Sequence, residues 1–231
     1  MKIAGLQKTT LIDYPGRIAA TVFLSGCNFR CPFCYSAELV LPEKIKNHPV
    51  LSEEYFFDFL KEKVGLLEAV VVCGGEPTLN PELPLFLKRI KDMGFMVKLD
   101  TNGSNPEMLK SLIKEGLVDY IAMDVKAPRE KYIEMVKGQA DLNKIEESIR
   151  ILKEGKADYE FRTTVVPLVH TKEDILNIAR WLKPAKRYFL QSFRGEKTID
   201  PAFTGVKPYP ESFLLEIKRE IASNFQECQI R

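Results

Sequence analysis

Cys27, Cys31 and Cys34 gather three of the chain's five cysteines within eight residues, in the stretch Gly26-Cys27-Asn28-Phe29-Arg30-Cys31-Pro32-Phe33-Cys34-Tyr35. Three thiolates at that spacing bind a metal. Zinc and ordinary iron-sulfur sites take four protein ligands, so a set of three implies one of two things. Either one metal position is open, which is where chemistry happens, or a fourth ligand comes from elsewhere. His48, Cys73 and Cys228 are the candidates for that fourth place in a structural zinc knuckle. Spacing alone leaves both readings open.

Further along, short polar groups could act on a ligand beside such a metal. Gly74-Gly75-Glu76-Pro77 on its own is a tight turn that opens a helix. Next to a metal, its two glycines would let a ligand lie against the backbone, and Glu76 could accept hydrogen bonds from an ammonium group. A small zwitterion suits such a place. Asp100-Thr101-Asn102-Gly103 reads either as a strand-to-helix turn with side-chain capping or as part of a site. Asp124 and Lys126 share a face if their strand persists, as a surface ion pair or as a place where Lys126 receives a carboxylate. Arg162 alternates with Phe161 and Thr163 and should point inward, where an unpaired guanidinium is costly. A carboxylate from ligand or protein should meet it. His48 and His170 read as exposed and without a role, Cys73 as a small packed residue, and Cys228 as part of a mobile tail.

The elements that must position these residues follow a repeating order. After Met1–Thr10 and the turn Asp13-Tyr14-Pro15-Gly16, strands are expected at Arg17–Leu24, Glu68–Cys73, Phe95–Leu99, Tyr120–Met123, Asp158–Val166 and Arg187–Gln191. Helices are expected at Ser52–Lys63, Pro81–Met93, Pro106–Glu115, Asn143–Lys153, Lys172–Leu182 and Glu211–Ala222. Strict alternation implies a parallel sheet with right-handed crossovers. Six units fall short of a closed eight-stranded barrel, so the expected fold is α/β, a partial (β/α)6 barrel of parallel strands, laterally open. A flat doubly wound sheet is the rival. Cys27 to Cys34, Gly74 to Glu76, Asp100 to Gly103, Asp124 to Lys126, Arg162 and Gln191 all fall at the C-terminal ends of successive strands, the end that carries active sites in such folds.

The totals agree with one domain over residues 1–231, since this length with 45% hydrophobic residues can bury a full core. A net charge of +2 without a polybasic run argues against nucleic acid or an anionic membrane as partner. No stretch reads as a signal peptide or a membrane span, and an odd set of crowded cysteines fits a reducing compartment, so a cytoplasmic protein is expected.

Cys27-x-x-x-Cys31-x-Phe33-Cys34 followed by Gly74-Gly75-Glu76 resembles the signature of the radical S-adenosylmethionine enzymes. Asp13-Tyr14-Pro15-Gly16, Asp100-Thr101-Asn102-Gly103, Asp124-Val125-Lys126 and Arg162-Thr163-Thr164-Val165-Val166-Pro167 resemble loops of the activases of glycyl radical enzymes. With Leu190-Gln191-Ser192-Phe193-Arg194, the pattern is nearest to activating proteins of anaerobic ribonucleotide reductase and covers almost the whole chain. The resemblance implies that Cys27, Cys31 and Cys34 ligate a [4Fe-4S] cluster whose open iron takes the methionyl amine and carboxylate of S-adenosyl-L-methionine. It implies Phe33 backbone near the adenine, Gly74, Gly75 and Glu76 at the methionyl amine, and Asp100, Thr101, Asn102, Asp124, Lys126 and Arg162 around carboxylate and ribose. A monovalent cation and a contact from Gln191 to the adenosyl end are further implications. As partners it implies a glycyl radical enzyme and an electron donor such as flavodoxin or ferredoxin. Tyr35-Ser36 departs from the His-Asn that often follows the third cysteine, and the extra cysteines of a second cluster are absent. On this reading alanine at Glu76 should remove nucleotide binding and spare the cluster, whereas a structural module should not respond.

Overall fold

The computed structural model describes residues 1–231. One sheet runs in sequential order through β1 (Ile3–Thr10), β2 (Ala19–Leu24), β3 (Ala69–Gly74), β4 (Met96–Thr101), β5 (Tyr120–Asp124), β6 (Asp158–Val165), β7 (Ala185–Ser192) and β8 (Phe225–Ile230). Strands β2 to β8 are parallel, while β1 lies antiparallel to β2. The outer strands β1 and β8 do not pair, so the sheet is an unclosed, partial barrel. The six strands expected from the sequence are β2 to β7.

Both edges depart from expectation. Met1–Thr10 supplies β1, whose start is covered by Leu51, with Leu51 N donating to Ile3 O at 2.8 Å. The tail that carries Cys228 is β8, and Cys228 is buried there rather than mobile. Its strand pairs in register with β7, from Ala185 opposite Phe225 to Leu190 opposite Ile230. Backbone pairing and the packing of Phe225 against Tyr188, at 5.0 Å between ring centroids, hold it in place.

The helices α1 (Ala37–Val40) and α2 (Pro42–Ile45) are single turns, followed by α3 (Glu53–Lys63), α4 (Leu83–Asp92) and α5 (Pro106–Lys114). Beyond β5 come the short α6 (Tyr132–Val136), then α7 (Leu142–Lys153), α8 (Lys172–Leu182) and α9 (Glu211–Ile221). Their starts are set by side chains that satisfy orphan amides. Ser52 accepts from Tyr55 N and Asn105 from Met108 N, while Thr171 and Asp174 form a reciprocal capping box. None of these helices is long and apolar enough to cross a membrane.

Strand periodicity divides the apolar residues between two sides of the sheet. Val70 and Val72 face the helices in a core of 52 buried residues, whereas Ala69 and Val71 face inward with Tyr14, Ala19 and Tyr120. Burial on both sides explains why β3 reads as an uninterrupted apolar run. Above that small apolar floor the inward positions become polar: Lys98 and Asp100 on β4, Asp124 on β5, Glu160 and Arg162 on β6. A parallel sheet thus brings charged residues from successive strands into one interior.

Candidate active site

The cysteine loop leaves the end of β2 and is held by chain on two sides. Gly75 N donates to Leu24 O at 2.8 Å and Glu76 N to Gly26 O at 2.7 Å, tying it to the end of β3. Arg30 N donates to Val136 O, and Gln139 N to Asn28 O, tying it to the segment around α6. The contacts at β3 give a physical reason for Gly74-Gly75. A Cβ on Gly74 would lie 2.3 Å from Leu24 O, and one on Gly75 would lie 2.0 Å from Gly26 O. Close approach of two backbones demands glycine at both positions, a requirement separate from the space for a ligand read from sequence.

All five cysteines are free thiols. Burial pushes the Cys27 thiol up to about 11 and Cys31 up to about 12, with Lys126 acting in the opposite direction on both. Such thiols ionise when a bound metal supplies the positive charge. No three His, Cys, Asp or Glu side chains converge closely enough to hold a single ion. Three free cysteines in one loop are a donor set that suits a cluster taking each cysteine on a different iron. Tyr132 carries an unsatisfied polar group close to Cys31. Its hydroxyl is buried and makes no well-formed hydrogen bond, although the Lys126 backbone lies beside it and the Cys31 sulfur is close enough to act on its charge. A buried donor in that position calls for an acceptor.

Glu76 is buried, at 1% exposure, and binds the two neighbouring loops together. Its Oε1 accepts from Thr78 N at 3.1 Å, Thr78 Oγ1 at 2.5 Å and Thr101 Oγ1 at 2.7 Å, and its Oε2 accepts from Asn102 N at 2.6 Å. Burial raises the carboxyl's pKa against those four donors, which favour the charged form. A carboxylate has about four lone-pair directions, so Oε2 retains the capacity to accept one more donor. Glu76 is therefore both a structural knot and a potential ammonium acceptor.

The inward charges form one network, which answers the sequence expectation for Arg162. Its Nη1 meets Asp100 Oδ2 at 2.9 Å and its Nε meets Asp124 Oδ1 at 2.8 Å. Lys126 Nζ lies 2.9 Å from the other Asp124 oxygen. The pair is thus part of the barrel interior and not a surface ion pair. Burial pulls the Asp124 carboxyl up, but Arg162 and Lys126 overcome this and hold it well below the usual carboxylate range. Lys126 correspondingly remains charged despite its burial, through Asp124.

Lys98, Glu160 and Arg231 have no counterpart among the residues singled out from sequence. Lys98, fully buried, pairs with Asp100. Glu160, also fully buried, takes both Arg231 Nη atoms at 2.8 and 3.0 Å and Tyr120 Oη at 2.8 Å. The available signal was parity, since Lys98 shares the inward face of Asp100, and Glu160 that of Arg162.

His170 corrects a sequence expectation, because it is 2% exposed and was read as a surface residue. Its Nδ1 accepts from Val166 N at 3.0 Å and its Nε2 donates to Lys126 O at 2.9 Å, so the neutral ring fastens the Lys126 loop to the end of β6. Burial lowers its pKa to about 4. Phe33 packs near this ring, at 6.4 Å between centroids. His48 is half-buried, with Nε2 2.9 Å from Ala4 O on β1.

Hydrogen bonds therefore join Cys27, Glu76, Thr101 and Asn102 in one group, and Asp100, Asp124, Lys126 and Arg162 in another. Gln191 lies at the end of β7 opposite Thr164, outside those contacts. Cys73 follows the inward Val71 on β3, and Tyr35 is exposed beyond the third cysteine. A cavity of about 420 Å³ opens at the opposite, N-terminal end of the sheet, lined in part by Arg17, Asp119, Asp158 and Arg187. Those charges already pair among themselves and with Glu68 and Lys91, so they offer no free reactive group.

Comparison with known proteins bears on what this arrangement is for. A candidate glycyl-radical enzyme activating enzyme of Methanocaldococcus jannaschii is 38% identical over 222 residues, which are 93% of this chain and 89% of that protein. A 7-carboxy-7-deazaguanine synthase of Thermococcus kodakarensis is 30% identical over 183 residues, 72% of this chain and 69% of the relative. The crystal structure of QueE from Escherichia coli shares the fold with a TM-score of 0.56 at 15% identity, covering 100% of this chain and 94% of that one. The family model for the Radical SAM superfamily matches residues 21–182, a span that runs from β2 to the end of α8. The three cysteines, Glu76, Asp100, Asp124, Lys126 and Arg162 all lie inside that span, and the chain belongs to the Radical SAM superfamily.

Proposed function

We propose that this chain, as one radical-SAM domain over residues 1–231, generates a glycyl radical on a partner enzyme, of which anaerobic ribonucleotide reductase is the first candidate. The observation that carries this reading is the similarity to a candidate glycyl-radical activating enzyme along 93% of the chain. The unclosed sheet, with β1 and β8 unpaired, would admit a protein loop.

Membership of the superfamily implies a [4Fe-4S] cluster and S-adenosyl-L-methionine. A bound cluster would supply the electron for reductive cleavage of the nucleotide to methionine and so the means of taking a hydrogen atom from substrate. In this proposal Cys27, Cys31 and Cys34 hold the cluster and Phe33 backbone borders the adenine. Glu76 accepts the methionyl ammonium through its remaining lone pair, beside the backbone of Gly74 and Gly75. Thr101 and Asn102 orient Glu76, as their hydrogen bonds to it already do. Lys126 and Arg162 supply positive charge for the carboxylate, while Asp100 and Asp124 hold those cations in place and face the ribose. A monovalent cation would share Asp100 and Asp124 with them, and Gln191 would reach the adenosyl end from β7. Flavodoxin or ferredoxin would deliver the electron in the cytoplasm.

Anaerobic reconstitution should yield a brown protein that releases 5′-deoxyadenosine and methionine when reduced with the nucleotide present. A colourless protein carrying one zinc per chain would contradict the reading. A small-molecule substrate is the second reading, favoured by the 30% identity to a 7-carboxy-7-deazaguanine synthase. Electron resonance separates the two, since only an activase places a glycyl radical on an added reductase.

A further inference from the structure

The side chain of Asn102 lies on the cysteine loop. Its Nδ2 is 3.9 Å from Cys27 Sγ and donates to Asn28 Oδ1 at 3.0 Å. Its Oδ1 accepts from Ser104 N at 2.9 Å. That last bond fixes the orientation of the amide, because Ser104 N can only donate and so must face the oxygen. The two N–H groups then point at Asn28 and at Cys27. Asn28 is fixed in turn, with its oxygen also accepting from Ser104 Oγ and its Nδ2 donating to Gln139 O at 3.1 Å. Asn102 is buried, so water does not compete for the N–H directed at sulfur.

Cys27 has one more donor, Phe29 N at 3.4 Å. A backbone amide there follows from the loop's path, whereas the Asn102 amide reaches it from a different strand. The main chain of Asn102 also donates to Glu76. One residue thus touches a cluster cysteine with its side chain and the putting-in-place of the ammonium acceptor with its backbone.

We propose that Asn102 is a positioning residue that tunes the cluster's reduction potential through an N–H donated to Cys27 Sγ. The proposal rests on the reading of Cys27 as a cluster ligand. Adding an electron increases negative charge on cluster and ligand sulfurs, and an N–H aimed at one of those sulfurs stabilises the reduced state more than the oxidised one. Removing the donor should make reduction harder without removing a ligand.

The test is a redox titration of the reconstituted protein, followed by the electron resonance signal of the reduced cluster, in the parent, Asn102→Asp, Asn102→Ala and Ser104→Ala. Asn102→Asp keeps an oxygen for Ser104 N, so the turn survives, but it sets an oxygen where the N–H was. Both Asn102 variants should need a more negative potential, with the reduced-to-oxidised ratio at a fixed potential falling at least threefold. Ser104→Ala, which removes only the hydroxyl contact to Asn28, should titrate with the parent. Equal potentials in parent and Asn102→Asp would overturn the proposal, as would loss of the cluster from both Asn102 variants in a protein that keeps its fold, because the residue would then only hold the loop. A parent that takes up no iron would overturn the cluster reading itself, a result distinct from either.

Discussion

Glu76 and His170 show how far single residues could be read in advance. Glu76 stood out in the sequence, yet its four protein donors could not be inferred, because two of them come from the end of β4 and the residue after it. Those bonds change what a substitution reports. Glu76→Ala leaves buried donors on Thr78, Thr101 and Asn102 without an acceptor, which should cost about 3 kcal/mol of stability. A structural module would therefore respond to it as well, contrary to the expectation from sequence. Glu76→Gln preserves the shape and removes the charge, and it should weaken nucleotide binding about tenfold or more while iron content stays at the parent level. Calorimetric titration of the nucleotide, alongside iron analysis, checks this.

His170 was misread because lone polar residues after a strand are usually exposed. Its place just before the capping residue Thr171 is one where buried residues often brace a helix start. Its neutral form is required by the bond from Val166 N. The folded pKa of about 4 lies below the unfolded value near 6.5, so the unfolded chain binds the extra proton first as pH falls. Its contribution is complete above about pH 6.5 and is lost as pH drops through about 4, a difference on the order of 3 kcal/mol. Urea unfolding at pH 7.5 and 4.5 should show a steeper loss of stability in the parent than in His170→Gln. Parallel losses would contradict the assignment.

At the scale of elements, the strands with strong apolar runs and the helices with capping residues were legible. The two edge strands were not. In β8 the buried residues Phe225 and Cys228 stand three apart, breaking the period of two, and in β1 the run Gln7 to Thr9 is exposed on both faces. Edge strands bury less and so leave a weaker pattern. The turn after β3 was legible as glycine-bearing, but the contact that requires glycine lies across the sheet. Gly75→Ala would drive a Cβ into Gly26 O. It should destabilise the fold by about 2 kcal/mol and reduce iron uptake, since the displaced backbone begins the cysteine loop. Thermal unfolding and iron analysis of the reconstituted variant read both effects.

For the whole molecule, the α/β class and the unclosed barrel follow from alternation and unit count, while hydrogen bonds join Cys27, Glu76, Thr101 and Asn102 in one group and Asp100, Asp124, Lys126 and Arg162 in another. What alternation could not supply was the interior. Lys98, Glu160 and Arg231 join the predicted Arg162, Asp100 and Asp124 only once the sheet curls and parity becomes contact. The outer strands β1 and β8 do not pair, and that open edge does not by itself select protein over small molecule as substrate. The most direct test is electron resonance of an anaerobic ribonucleotide reductase mixed with the reduced, cluster-loaded chain and S-adenosyl-L-methionine. The activase reading predicts a glycyl radical signal on the reductase that needs both chain and nucleotide, with 5′-deoxyadenosine formed in step. Nucleotide cleavage at an unchanged rate, with no radical on the reductase, would contradict it.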